Sequence, residues 1–186
     1  MAEPSAALWV CQVAAGTAAE RVANGLLIVW HSRTGAAEAM ASAAAEGAIA
    51  ECGPEACKLI CAEQASVQDL LGAAGYLFCC PENLGSMTGE MKAFFDRTYY
   101  PVLGQIEGRP YATMIAAGSD GTGAERQIDR IVTGWRLRRV AEPMIACTHA
   151  QTPEAILAPK QLSADLLQNC HNLGQAVATG LALGVF

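Results

Sequence analysis

From Leu26 onward, short and largely apolar runs alternate with longer stretches whose apolar residues recur every three or four positions. The short runs are Leu26–Trp30, Lys58–Cys61, Tyr76–Cys80, Tyr111–Ala117 and Val140–Cys147, and turn formers lie between them, as expected for buried strands. Pro81 is expected to stop the third run, because proline cannot donate to a strand ladder. After the first run and the loop His31–Gly35, an alanine-rich helix extends to about Ala50. Ser66 to Leu71 reads as a short helix with Ser66 as N-cap and Asp69 in the first turn. Met87, Met91, Phe94, Phe95 and Thr98 mark a third helix that should end before Pro101. Ile128, Ile131, Val132 and Trp135 share one face of a fourth. A closing helix starts at Ser163, with Leu166, Leu167, Cys170, Leu173 and Val177 inward.

Strands that alternate with helices, and that are apolar without a break, imply a parallel sheet covered on both faces. The class is therefore α/β, with residues 25–186 as one domain and residues 1–24 as an N-terminal extension, poorly ordered or loosely docked. That extension holds one apolar run, Leu8 to Ala15, but its only early charge is Glu3, whereas a secretory signal needs a basic start. No run approaches the roughly 20 apolar residues of a membrane span.

Composition narrows the class. Of 186 residues, 52% are hydrophobic and 16% charged, which sets the chain among globular proteins. Its net charge of −6 and pI near 5.0 argue against a nucleic-acid binder, and Arg136, Arg138 and Arg139 form too small a basic cluster to reverse that. The eight cysteines contain no C-x-x-C pair, and Cys57 and Cys61 have no second pair in zinc-site register. They read as buried thiols in a reducing, cytoplasmic compartment.

In parallel sheets ligands bind beyond the carboxyl ends of the strands, so three loops carry the candidate chemistry. The first is Ser32, Arg33, Thr34, Gly35, Ala36 and Ala37, where helix N–H groups and two hydroxyls would favour an anion such as phosphate. The same residues also make an ordinary capped turn, with Arg33 in solvent and His31 supporting the loop. The second is Pro81, Glu82, Asn83, Leu84, Gly85, Ser86 and Met87, continuing to Met91. Its turn formers are mixed with apolar Leu84 and Met87, which would either contact a flat heteroaromatic ring or tuck into the core. The third is Gly118, Ser119, Asp120 and Gly121, continuing to Gly123 and opening the fourth helix, a glycine-rich turn suited to an anion or a ring edge. Glu82 and Asp120 read as solvated carboxylates.

These loops together resemble the flavodoxin-like superfamily, closest to its FMN-dependent NAD(P)H:quinone reductase and FMN reductase branch, from Leu26 to about Leu183. The most specific part is Pro81-x-Asn83-x-Gly85-x-Met87-x-Gly89-x-Met91-Lys92-x-Phe94-x-Asp96-Arg97, which is similar to that branch's flavin-ring loop and following helix. Ser32-Arg33-Thr34-Gly35 resembles its phosphate loop, except that Ala37 stands where the family usually has threonine. One lost neutral hydrogen bond of about 1 kcal/mol would lower FMN affinity several-fold without abolishing binding. The resemblance implies a three-layer sandwich with a five-stranded parallel sheet in the order 2-1-3-4-5. It further implies FMN phosphate at Ser32 to Ala37, the isoalloxazine at Pro81 to Met87, and its pyrimidine edge or ribityl chain at Gly118 to Gly121. Related architectures fit less well: the chain lacks the aspartate cluster of receiver domains, the C-x5-R of small phosphatases, the P-loop and the full dinucleotide G-x-G-x-x-G.

Flavin chemistry asks little of side chains, so no general acid, base or nucleophile is assigned. The expected activity is NAD(P)H-dependent reduction of quinones or similar small acceptors through FMN, in a homo-oligomer without nucleic-acid or membrane partners. Tyr99, Tyr100 and Trp135 are the contact residues this implies. A flavodoxin-type electron carrier is the alternative, disfavoured by a modest charge and by flavin loops without Trp or Tyr. A binding protein that has lost FMN is the third. The long segment from Thr148 to Gln161, with His149, is placed to cover the flavin edge.

Overall fold

A computed structural model describes residues 25–186; the expected extension, 1–24, lies outside the described residues. The elements follow in the order β1 (Leu26–Trp30), α1 (Ala36–Cys52), β2 (Cys57–Cys61), α2 (Val67–Gly72), β3 (Gly75–Asn83), β4 (Ser86–Met87) and α3 (Gly89–Val102). After them come β5 (Pro110–Ala117), α4 (Thr122–Gly134), β6 (Arg138–Arg139), β7 (Met144–Cys147), α5 (Pro153–Leu157) and α6 (Ala164–Ala182). The sheet runs β2-β1-β3-β5, and β6 and β7 both pair with the far edge of β5. All these pairings are parallel; β4 alone is antiparallel, folded back on the end of β3. This is the flavodoxin-like α/β arrangement, with more strands than the five expected.

The central strands β1, β3 and β5 each feed two cores, which is why their apolar runs have no polar alternation. Leu27, Val29, Tyr76, Phe78, Cys80, Tyr111 and Ile115 point to the face covered by α2, α3 and α4, where Phe94, Phe95, Ile128 and Trp135 fill the layer. Leu26, Ile28, Leu77, Cys79, Ala112 and Met114 point to the other face, under α1 and α6. Alanine and glycine allow those two helices to meet backbone to backbone. A Cβ on Gly47 would strike the carbonyl of His171, and one on Gly174 the carbonyl of Ala44.

Five local expectations are corrected. Pro81 does not end β3, which pairs Pro81 with Ala116 and continues to Asn83. The reason is directional: Cys79 turns its carbonyl to β1, accepting from His31 N–H, so Pro81, two residues on, faces the side where β1 has already ended. Its missing N–H therefore breaks no ladder bond. Met87 belongs to β4 and not to the helix. Pro101 sits inside the last turn of α3, which stops one residue later. Of the expected strand Val140–Cys147 only Met144–Cys147 forms, as β7; β6 lies ahead of it, and the irregular stretch between the two contains Pro143. Trp135, expected at an oligomer surface, is fully buried, tilted against Phe95 and stacked on Tyr99, while Tyr100 is exposed.

Candidate functional site

At the carboxyl ends of β1, β3 and β5 a cavity is lined by Ser32, Arg33, Thr34, Ala36, Ala37, Pro81, Glu82, Asn83, Ala116, Ala117, Gly118, Thr148, Ala150, Ile156, Leu157 and Lys160. The three candidate loops thus reach one cavity. Gly35, Leu84, Gly85, Ser86, Met87, Ser119, Asp120 and Gly121, also candidates, lie outside its wall.

The first loop ends in Gly35, held at φ 88°, from which α1 starts with no side chain capping its N–H groups. Gly35 N–H itself bonds Ser32 Oγ at 3.1 Å. The next N–H groups, from Ala36 and Ala37 at the cavity wall, have no intrahelical partner by helix geometry. A 17-residue helix therefore presents uncapped donors and its positive end to the cavity. Ser32 keeps its hydroxyl hydrogen for a ligand while accepting from Gly35. His31 is buried beneath this loop with Nδ1 unpartnered; its Nε2 lies 3.7 Å from Glu63 and 3.6 Å from Glu90.

The second loop is a two-residue hairpin. The pairs Glu82–Met87 and Asn83–Ser86 leave Leu84 and Gly85 at the turn, at φ 53° and 70°. Glycine accepts this left-handed backbone freely, whereas leucine is strained in it. Leu84 is fully exposed and Met87 is buried, so the two apolar residues separate, one into solvent and one into the core.

Glu82 is not a solvated carboxylate. Its two oxygens accept from Gly121 N–H and Ala124 N–H, both at 3.0 Å, and so cap α4. The anion site of the third loop is thereby filled by the chain's own carboxylate. That leaves the α1 terminus as the open one of the two. Asp120 remains exposed, accepting from Thr122 Oγ1 at 2.7 Å.

The fourth wall comes from the segment after β7. Lys160 N–H bonds Thr34 O at 2.8 Å, and its Nζ donates to the carbonyls of Ala155, Ile156 and Ala158. The ammonium thus caps α5 and lays Ile156 and Leu157 along the cavity. His149, at φ 53°, lies outside the wall between Thr148 and Ala150, which line it. The length of this segment signalled its role; the small side chains of Ala116 and Ala117, which leave space at the strand end, gave no comparable signal. The cavity encloses about 120 Å³, below the about 300–1,000 Å³ usual for small-molecule sites.

Comparison with known proteins agrees with the resemblance. Residues 62–151 match the family model described as NADPH-dependent FMN reductase. A curated protein named flavodoxin from Aquifex aeolicus (strain VF5) is 28% identical over 165 residues, covering 86% of this chain and 88% of that protein. Among solved structures, a flavodoxin from the domain Archaea superposes with a TM-score of 0.68 at 18% identity, over 85% of this chain and 99% of the other. A flavodoxin, WrbA-like protein from Agrobacterium tumefaciens gives 0.66 at 16% identity, over 86% and 98%. The fold is flavodoxin-like, and the chain resembles the FMN reductase branch of that superfamily.

Proposed function

We propose that this flavodoxin-like chain binds FMN and is an NAD(P)H-dependent oxidoreductase that reduces quinones or similar small acceptors. The observation that carries the FMN reading is the uncapped amino terminus of α1 at the cavity, where Ser32 and Thr34 add hydroxyl donors and Arg33 and Lys160 bring positive charge. The residues fit a phosphorylated flavin: a donor-rich end at Ser32 to Ala37 for the phosphate, and Pro81 to Asn83 with Ala116, Ala117 and Gly118 for the remainder. FMN would supply hydride and single-electron transfer. The chain's own part is to hold the phosphate, keep the ring against the ends of β3 and β5, and open the α5 side for nicotinamide and then acceptor. The likeness to the FMN reductase family over residues 62–151 supports the enzyme over the carrier, and the likeness to a flavodoxin over most of the chain supports the carrier.

Titration of purified apoprotein with FMN is expected to quench flavin fluorescence at one equivalent. Anaerobic NADPH or NADH should then bleach the flavin band at about 450 nm, and benzoquinone should restore it. Stoichiometric FMN that neither nucleotide reduces would establish the carrier instead. Failure to bind FMN would sink both.

A further inference from the structure

The fourteen residues from Arg126 to Arg139 hold five of the chain's twelve basic residues and one acid, a net +4 within a chain of net −6. Arg139 is spent inside, on Glu125 and on Asp129 at 2.8 Å, with its guanidinium 5.0 Å above the Tyr111 ring. Arg136 pairs with Glu107 at 3.1 Å. Arg126 and Arg130 are exposed and engage no carboxylate among the described residues. On α4 they share one face with Gly123 and Gln127, at the spacing i, i+3, i+4, i+7.

That is the face on which the β3–β4 hairpin rests. Gln127 Oε1 accepts from Ser86 Oγ at 2.8 Å and Met87 N–H at 3.1 Å, and a Cβ on Gly123 would strike the carbonyl of Gly85. The hairpin is thus fixed beside the two arginines, and it presents Leu84, strained at φ 53° and fully exposed. A leucine there is unfavourable twice over, for its backbone and for its exposed apolar surface. Asparagine or glycine would remove both costs.

We propose that Leu84, Arg126 and Arg130 form a docking surface for a protein whose contact face is acidic around an apolar centre. An apolar contact ringed by arginine has the make-up of a protein interface, and the charge selects a partner of opposite sign. A second copy placed symmetrically on this patch would set these arginines against themselves. Because Glu82 and Asn83 of the same hairpin line the cavity, the partner docks at its mouth. Electron exchange with that partner rests on the flavin reading; the docking does not.

The test uses the full chain as purified and, as probe, a small acidic [2Fe–2S] protein, followed by calorimetry at about 10 mM ionic strength, where screening is weak. Saturable binding is expected, weakened about ten-fold or more by the double substitution Arg126→Glu/Arg130→Glu and by salt. Leu84→Asn should weaken binding several-fold while raising the unfolding midpoint, since asparagine tolerates this backbone; a structural role alone would not move the two in opposite directions. No binding, binding indifferent to these substitutions, equal or tighter binding of duplex DNA, or self-association abolished by Arg126→Glu/Arg130→Glu would each overturn the proposal.

Discussion

Glu82 shows how one side chain decides between two sites that look alike in sequence. Both the first and third loops are glycine-rich openings to helices, yet α4 begins under a carboxylate from its own chain and α1 begins bare. Hydrogen bonds to a charged acceptor at a helix amino terminus are worth more than neutral ones, because the dipole adds to each. Glu82→Ala should lower stability by about 1–3 kcal/mol in urea unfolding. Glu82→Gln, which keeps an acceptor oxygen, should lose less. Because Glu82 also joins the second loop to the third, the alanine variant should bind FMN more weakly, measured by fluorescence quenching. Unchanged stability would mean that solvent replaces the cap without loss.

At the scale of elements, α1 and α6 meet backbone to backbone, and that contact depends on missing side chains. In an exposed helix interior, glycine to alanine stabilises by roughly 0.5–1 kcal/mol. At Gly174 the new methyl would meet the carbonyl of Ala44, so Gly174→Ala should instead destabilise, by about 1–3 kcal/mol. Gly72, with nothing near its Cβ position, is the control and should move the other way. Chemical denaturation of both variants reads the opposite signs directly. The short α2 is held by charge instead. Burial pushes the Asp69 carboxyl up, but the Lys58 ammonium and the Ser66 hydroxyl and N–H outweigh it and hold it below its ordinary 3.8. A depressed folded value adds stability that is complete above the unfolded value and is lost as pH falls through the folded one. Asp69→Asn should therefore reduce stability at neutral pH and show a shallower loss below about pH 4.

Across the whole molecule, the layers were legible because the central strands β1, β3 and β5 feed two cores and each long helix only one. Leu26–Trp30 and Tyr76–Cys80 form the buried strands expected of them, and Ser66 caps α2 with Asp69 in its first turn, as expected, the two closing a capping box. What escaped reading depended on direction: which way Pro81 turns its nitrogen, that Glu82 reaches α4, that Leu84 and Met87 part company. Local pattern cannot hold such information, because each outcome depends on a neighbour far along the chain. The segment after β7 is the clearest case. Its five-residue α5 is too short to persist alone, and its exposed Ile156 and Leu157 gain little from burial. What holds it is Lys160, whose Nζ takes three carbonyls of the α5 end while its N–H fastens the segment to Thr34. Lys160→Met keeps the stem and the N–H bond but removes the ammonium. Because the site is peripheral, global stability should change by no more than about 0.5 kcal/mol. Amide exchange at 153–158 should quicken at least several-fold by mass spectrometry, since those groups open locally and not through global unfolding. A looser segment should also release FMN faster in stopped-flow dilution. Faster exchange with unchanged release would make α5 a passive wall; unchanged exchange would mean that the three carbonyl bonds are not what restrains it.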